Sequence, residues 1–231
     1  MVYILIAILI FGVLIAVHEL GHFLAAKACG VRVNEFSIGM GPQIFHRTKG
    51  DTEYSLRLLP IGGYCAMEGE DEDSDDERAL GRQAWWKKLI IFVAGAFMNF
   101  LTGFAIIVCL YAGAKGFYTA EIVDLNPDFP QQGEEGLMVG DTICAINGER
   151  IYLKSDVSLI MALGDTGTIE MTVLRGGKKL ERTLTRQTYT DENGKAYEAY
   201  GFTYGGIVEA TPLVRLQYSW YQTMDYVRIV R

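Results

Sequence analysis

Two histidines four positions apart, the first followed directly by a glutamate, stand inside the apolar run VLIAVHELGHFLAA at residues 13–26. On a helix, residues at this spacing lie about 40° from one another and roughly 6 Å apart along the axis, so His18 and His22 can reach one ion. Neutral imidazoles suit Zn²⁺, with Zn–N distances of about 2.0–2.1 Å. Glu19 points about 100° away, badly placed to ligate but able to hydrogen-bond a metal-bound water. Zinc lowers the pKa of such a water toward ~7, and a carboxylate can take its proton as it attacks a peptide carbonyl. Two structural histidines beside a glutamate are the bland alternative, and all three would then need partners inside an apolar medium.

The element carrying them is a membrane-length helix over residues 1–26, about what a ~30 Å hydrocarbon core requires. No basic stretch precedes it as in a cleaved signal peptide. A second span is expected over residues 89–114, which carry no charge and follow Trp85, Trp86, Lys87 and Lys88, a mixed aromatic and basic interface anchor. Residues 27–88 alternate polar and apolar residues in VNEFSIGMGPQIFHR and TEYSLRLLPIGGYCAM, which predicts a small β-hairpin-like segment at the membrane surface. Non-helical backbone survives at membrane depth only where protein or a water-filled cavity covers it. Lys27, Arg32, Arg82, Lys87 and Lys88 flank the spans on this side and place the loop in the cytoplasm, so residues from 116 onward are external. Sixteen residues of helix before His18 amount to about 24 Å, which sets the pair toward the cytoplasmic side.

Residues 116–209 read as a water-soluble α+β domain: a strand in AEIVDL, a short helix in SDVSLIMALG, and two strands about the Gly-Gly turn of TIEMTVLRGGKKLERTLT. AYGFTYGGI supplies a closing strand. In the tail, residues 210–231, Leu213, Leu216, Trp220, Met224 and Val227 recur at helical spacing, an amphipathic stretch that lies on the membrane or leads into it. The whole chain has 231 residues, is 50% hydrophobic and has a net charge of −7. Its acids gather in EGEDEDSDDE at residues 68–77, which argues against a nucleic-acid partner and reads as a solvated loop rather than a calcium site. Cys29, Cys65, Cys109 and Cys144 lack CxxC spacing and read as small buried hydrophobes.

HELGHFLAAKACGVRVNEFSIGMGP, followed by LRLLPIGGYCAMEGED, resembles the site-2 protease family of intramembrane zinc metalloproteases, in its bacterial branch that cleaves anti-sigma factors and signal-peptide remnants. The resemblance implies a polytopic α-helical membrane protein with a membrane-associated β-segment and an inserted α+β PDZ domain, in the inner membrane of a bacterial cell. It implies His18 and His22 as zinc ligands and Glu19 as catalytic base. The β-segment, with Gly39 and Gly41, would guide the substrate as an added strand. VAGAFMNF resembles the second-span motif, in which Asn99 stands near the substrate, although Ala96 and Phe97 depart from its usual Gly-Pro dipeptide. Residues 136–148, GLMVGDTICAING, together with the helix and hairpin after them, resemble a permuted bacterial PDZ domain that binds peptide termini or filters substrates by size.

Catalytic zinc normally has three protein ligands. The family's third, an aspartate in a later span, has no counterpart in this sequence; Asn126-Pro127-Asp128 reads as a loop in the soluble domain. The expectation is of a C-terminally truncated chain whose third ligand lies beyond residue 231, with membrane proteins of a single transmembrane segment as substrates and the lipid bilayer as surroundings. The alternative is a membrane-tethered PDZ peptide-binding module without protease activity.

Overall fold

The computed structural model describes residues 2–164, 167–191 and 194–229. Its packing divides into two units, Met1–Ala105 and Ile106–Arg231.

The first unit opens with helix α1, Val2–Cys29. It runs three residues past the expected end at 26 and stops at Gly30, whose φ of +79° suits a residue without a Cβ. The N–H of Gly30 donates to the carbonyl of Lys27 and that of Val31 to Ala26, a Schellman closure, while Lys87 Nζ donates to the Cys29 carbonyl at 2.9 Å. Strands β1, Val33–Lys49, and β2, Thr52–Met67, form the antiparallel pair expected from the alternation. Each is bent, however, and four segments lie side by side. Phe36 faces Cys65 on one flank and Tyr54 on the other, Ser37 lies between Tyr64 and Ser55, and further along Arg47 faces Tyr54. The bends fall at Gly39 and Gly41, with φ of +87° and +82°, and in β2 near Pro60 and Gly62, with φ of +86° at the latter. Arg57 ties the bent strands together. Its Nη1 donates to the Gly41 carbonyl at 2.8 Å, its Nε to Ser37 Oγ at 3.0 Å and its Nη2 to Glu35 Oε1 at 2.8 Å and to the Tyr64 hydroxyl.

The acidic loop is exposed for the most part, and arginines answer it: Arg32 pairs with Asp76 and Arg82 with Asp75. Helix α2, Trp85–Tyr111, begins at the tryptophan pair and ends three residues before the expected limit at 114. Both α1 and α2 are long and apolar enough to cross a membrane. They approach closely, since a Cβ on Gly21 of α1 would lie 2.4 Å from the Ala94 carbonyl oxygen of α2.

In the second unit the strands are β3, Gly116–Tyr118; β4, Ile122–Leu125; β5, Thr142–Ile146; β6, Glu149–Arg150; then helix α3, Lys154–Leu163; β7, Thr168–Arg175; β8, Lys178–Thr185; β9, Gln187–Thr190; β10, Ala196–Ala199; β11, Phe202–Tyr204; and β12, Ile207–Glu209. A four-stranded sheet runs β6-β5-β7-β8, β11 closes on β4, and β12 pairs with β3. The β9–β10 hairpin is not legible in the sequence pattern. Gly176 and Gly177 both have positive φ, the demand of a two-residue hairpin turn. Ile122, Phe129, Leu137, Ile143, Val157, Ile169 and Val173 fill the core. Asp141, 1% exposed, is gripped by Arg175 through Nε and Nη2, both at 2.7 Å, and accepts the Met138 N–H. Asn126-Pro127-Asp128 is a turn, with the Asp128 N–H donating to Asn126 Oδ1.

Helix α4, Pro212–Ile229, occupies the tail. The residues it buries are polar, Ser219 and Thr223 on one side and Asp225 on another, while Leu213, Leu216, Trp220 and Val227 of the apolar stripe are exposed. One further expectation is corrected: of the four cysteines, all free, only Cys65 is buried, and Cys109 lies exposed on α2.

Candidate metal centre

The i, i+4 spacing on α1 brings the His18 and His22 rings together, centroids 4.8 Å apart and nearly perpendicular. Their Nε2 atoms converge to 3.1 Å. Two nitrogens bound to one tetrahedral zinc at ~2.05 Å stand about 3.3 Å apart, so the pair fits as two of its ligands. His22 Nδ1 lies 2.7 Å from the Ile91 carbonyl of α2. A carbonyl only accepts, so Nδ1 carries the proton and Nε2 presents its lone pair. Such a hydrogen bond behind the ligating nitrogen is what fixes a metal-binding imidazole.

Gly95 keeps the space beyond the imidazoles open, a role the motif reading does not include. A Cβ there would sit 2.5 Å from His22 Nε2 and 2.6 Å from His18 Nε2. A glycine inside an apolar span is a signal of close approach, and this one could have been found that way. Among the described residues no third His, Cys, Asp or Glu joins the pair in a metal-sized cluster.

Glu19 turns toward β2, its Cγ 3.7 Å from where a Cβ on Gly63 would stand. Gly63 pairs with Ile38, so the carboxylate flanks the bent ribbon near its outer segment. Asn99, one turn beyond Gly95 on α2, sets its Nδ2 3.4 Å from His18 Nδ1, and its Oδ1 is buried without a hydrogen-bond partner. Gly39 and Gly41 stand at the bend of β1. Gly39 lets the Leu59 carbonyl oxygen approach to 2.6 Å of a would-be Cβ, and Gly41 gives its carbonyl to Arg57. Around that clamp, burial raises the Glu35 pKa, but hydrogen bonds from Ser55, Tyr64 and Arg57 outweigh it and hold the carboxyl at about 2. Burial beside Glu35 pushes the Tyr64 hydroxyl to about 12.

The sequence matches the model of Peptidase family M50 over residues 6–228. It is 37% identical over 225 residues to a Clostridium perfringens protein named "Putative zinc metalloprotease", covering 97% of this chain and 65% of that protein. Proteins of the same name are 39% identical in Clostridium acetobutylicum and 38% in Fusobacterium nucleatum, covering 80% and 83% of this chain, and 54% and 57% of theirs. The chain thus spans between about half and two thirds of the length of these relatives. Among solved structures, the PDZ domain of an SdrC-like protein from Listeria monocytogenes overlaps 39% of this chain and 87% of its own, at 18% identity and a TM-score of 0.26, too loose a likeness to define a fold.

Proposed function

The chain belongs to Peptidase family M50, and from that premise and its converging imidazoles we propose that it forms part of an intramembrane zinc endopeptidase acting on transmembrane segments of membrane proteins. The observation that carries this reading is the 3.1 Å approach of two Nε2 atoms on a membrane-length helix, with a glycine in place of any side chain that would fill the space before them. His18 and His22 would hold the metal. Zinc, when bound there, supplies Lewis acidity that makes water nucleophilic near neutral pH.

Glu19 is the proton carrier: it takes the proton of the attacking water and returns it to the leaving amine. A peptide bond locked in a helix cannot be attacked, so the substrate must unwind. The bent ribbon beside Glu19, with its turn at Gly39 and Gly41, offers strand edges on which an unwound segment finds main-chain partners. Residues 116–209 act as a PDZ domain outside the cytoplasmic membrane of a bacterial cell, filtering substrates or holding peptide termini, and the helices lie in the bilayer. Replacing Glu19 by Gln in the full-length protein is expected to abolish cleavage of a membrane-spanning substrate while zinc content stays unchanged. Cleavage at the wild-type rate removes Glu19 from the mechanism.

A further inference from the structure

Asn99 places a half-buried amide against the imidazole pair, and its hydrogen bonding carries a consequence for the metal. His22 donates from Nδ1 to the Ile91 carbonyl, which leaves its Nε2 an acceptor. With no metal between them, the 3.1 Å contact of the two Nε2 atoms is a hydrogen bond whose proton sits on His18. With the proton on Nε2, the Nδ1 of His18 is a lone pair, and it faces the amide nitrogen of Asn99 at 3.4 Å. The three contacts form one consistent relay of donors: Asn99 Nδ2 to His18 Nδ1, His18 Nε2 to His22 Nε2, and His22 Nδ1 to the carbonyl.

That relay is closed to a metal, because the His18 nitrogen that would ligate bears a hydrogen. To ligate through Nε2, His18 must carry its proton on Nδ1 instead, and Nδ1–H then needs an acceptor. Asn99 has one at hand, the Oδ1 that is buried with no partner. Half a turn of the carboxamide exchanges oxygen and nitrogen at nearly the same positions. One end of the amide lacks a partner in either orientation, so the orphan does not decide between them; the needs of His18 do.

We propose that Asn99 is a positioning residue for zinc that selects the tautomer of His18: its Nδ2 donates in the metal-free state, and its Oδ1 accepts from Nδ1–H when Nε2 ligates. This rests on the metalloprotease reading above and departs from the substrate contact that the family resemblance implies for the same residue. Partners behind a metal-bound histidine are worth about 10–100-fold in affinity.

The test uses the full-length protein in detergent, with Zn²⁺ alone as ligand under chelator competition and Co²⁺ absorption as a check of geometry. Asn99→Ala is expected to weaken zinc binding by about 10–100-fold. Asn99→Asp, which offers an acceptor oxygen in both orientations, is expected to bind at least as tightly as wild type. Alanine binding as tightly as asparagine, or aspartate as weakly as alanine, overturns the proposal. Should the alanine variant not fold, ¹⁵N-histidine spectra of the metal-free proteins decide instead. The His18 proton is expected on Nε2 in wild type and on Nδ1 in Asn99→Asp, and one tautomer in both overturns the role. A wild-type protein that takes up no zinc overturns the metalloprotease reading and this proposal with it; equal zinc uptake without the amide overturns this proposal alone.

Discussion

His18 and His22 need both convergence and room, and the HExxH spacing itself displays only the first. Spacing on a helix makes HExxH legible wherever it occurs, whereas the open space before the pair belongs to the opposite helix, at Gly95. Gly95→Ala would thrust a methyl carbon to 2.5–2.6 Å from both Nε2 atoms, far inside contact distance. The expected outcome is loss of zinc binding by more than tenfold, read by metal analysis, with helix content by circular dichroism unchanged. Wild-type zinc content in that variant would show that the rings move aside. Asn99 is legible only as a polar residue in an apolar span; that it addresses His18 depends on where α2 crosses α1, which no local pattern contains.

At the scale of elements, alternation suffices for the strands of the ribbon and fails for its bends. Period-2 patterning says which residues share a face, but a strand folded beside its own partner is set by backbone turns at Gly39, Gly41, Pro60 and Gly62 and by the Arg57 clamp across them. The edge-on approach of this ribbon to α1 also escapes the sequence. A Cβ on Gly12 would stand 2.3 Å from the Pro60 carbonyl oxygen, so the bend of β2 lies directly on the helix backbone. Gly12→Ala is expected to destabilise the first unit by about 1–3 kcal/mol, the usual effect of overpacking, seen as a lower unfolding midpoint and faster proteolysis near residue 60. The amphipathic tail shows the reverse case: its helical period is plain in the sequence, but its buried side is not. Ser219 and Thr223 tolerate burial because their hydroxyls donate to the Arg215 and Ser219 carbonyls of the same helix.

Across the whole molecule, acid removes support from one paired carboxylate in each unit, Glu35 in the first and Asp141 in the second, while Asp225, raised by burial and by Asp156, acts the other way. Glu35 ionises at about 2 in the folded ribbon against 4.5 unperturbed. In the second unit, burial raises the Asp141 pKa, but the Arg175 hydrogen bonds and the Met138 N–H outweigh it and lower the value. A carboxylate with a depressed folded pKa lends stability that is fully present above its unfolded pKa and is lost as pH falls toward the folded one. Thermal unfolding is therefore expected to be level near neutrality and to weaken progressively below about pH 4.5. A midpoint independent of pH down to 3 would contradict both pairings. Breaking the second pair by Asp141→Asn is expected to cost the second unit about 3 kcal/mol, since it leaves a guanidinium half without its partner.

The hydrogen bond that orients His22 ends on a main-chain oxygen, that of Ile91. Every amino acid supplies that same atom, so no exchange of side chain at position 91 can erase it. One imidazole is thus protected from mutational drift by geometry alone, and its pose is inherited with the crossing of two helices. The vulnerable event is instead an insertion or deletion in α2 between Trp85 and Ile91, which shifts the helix register by about 100° per residue and turns the accepting carbonyl away from the ring.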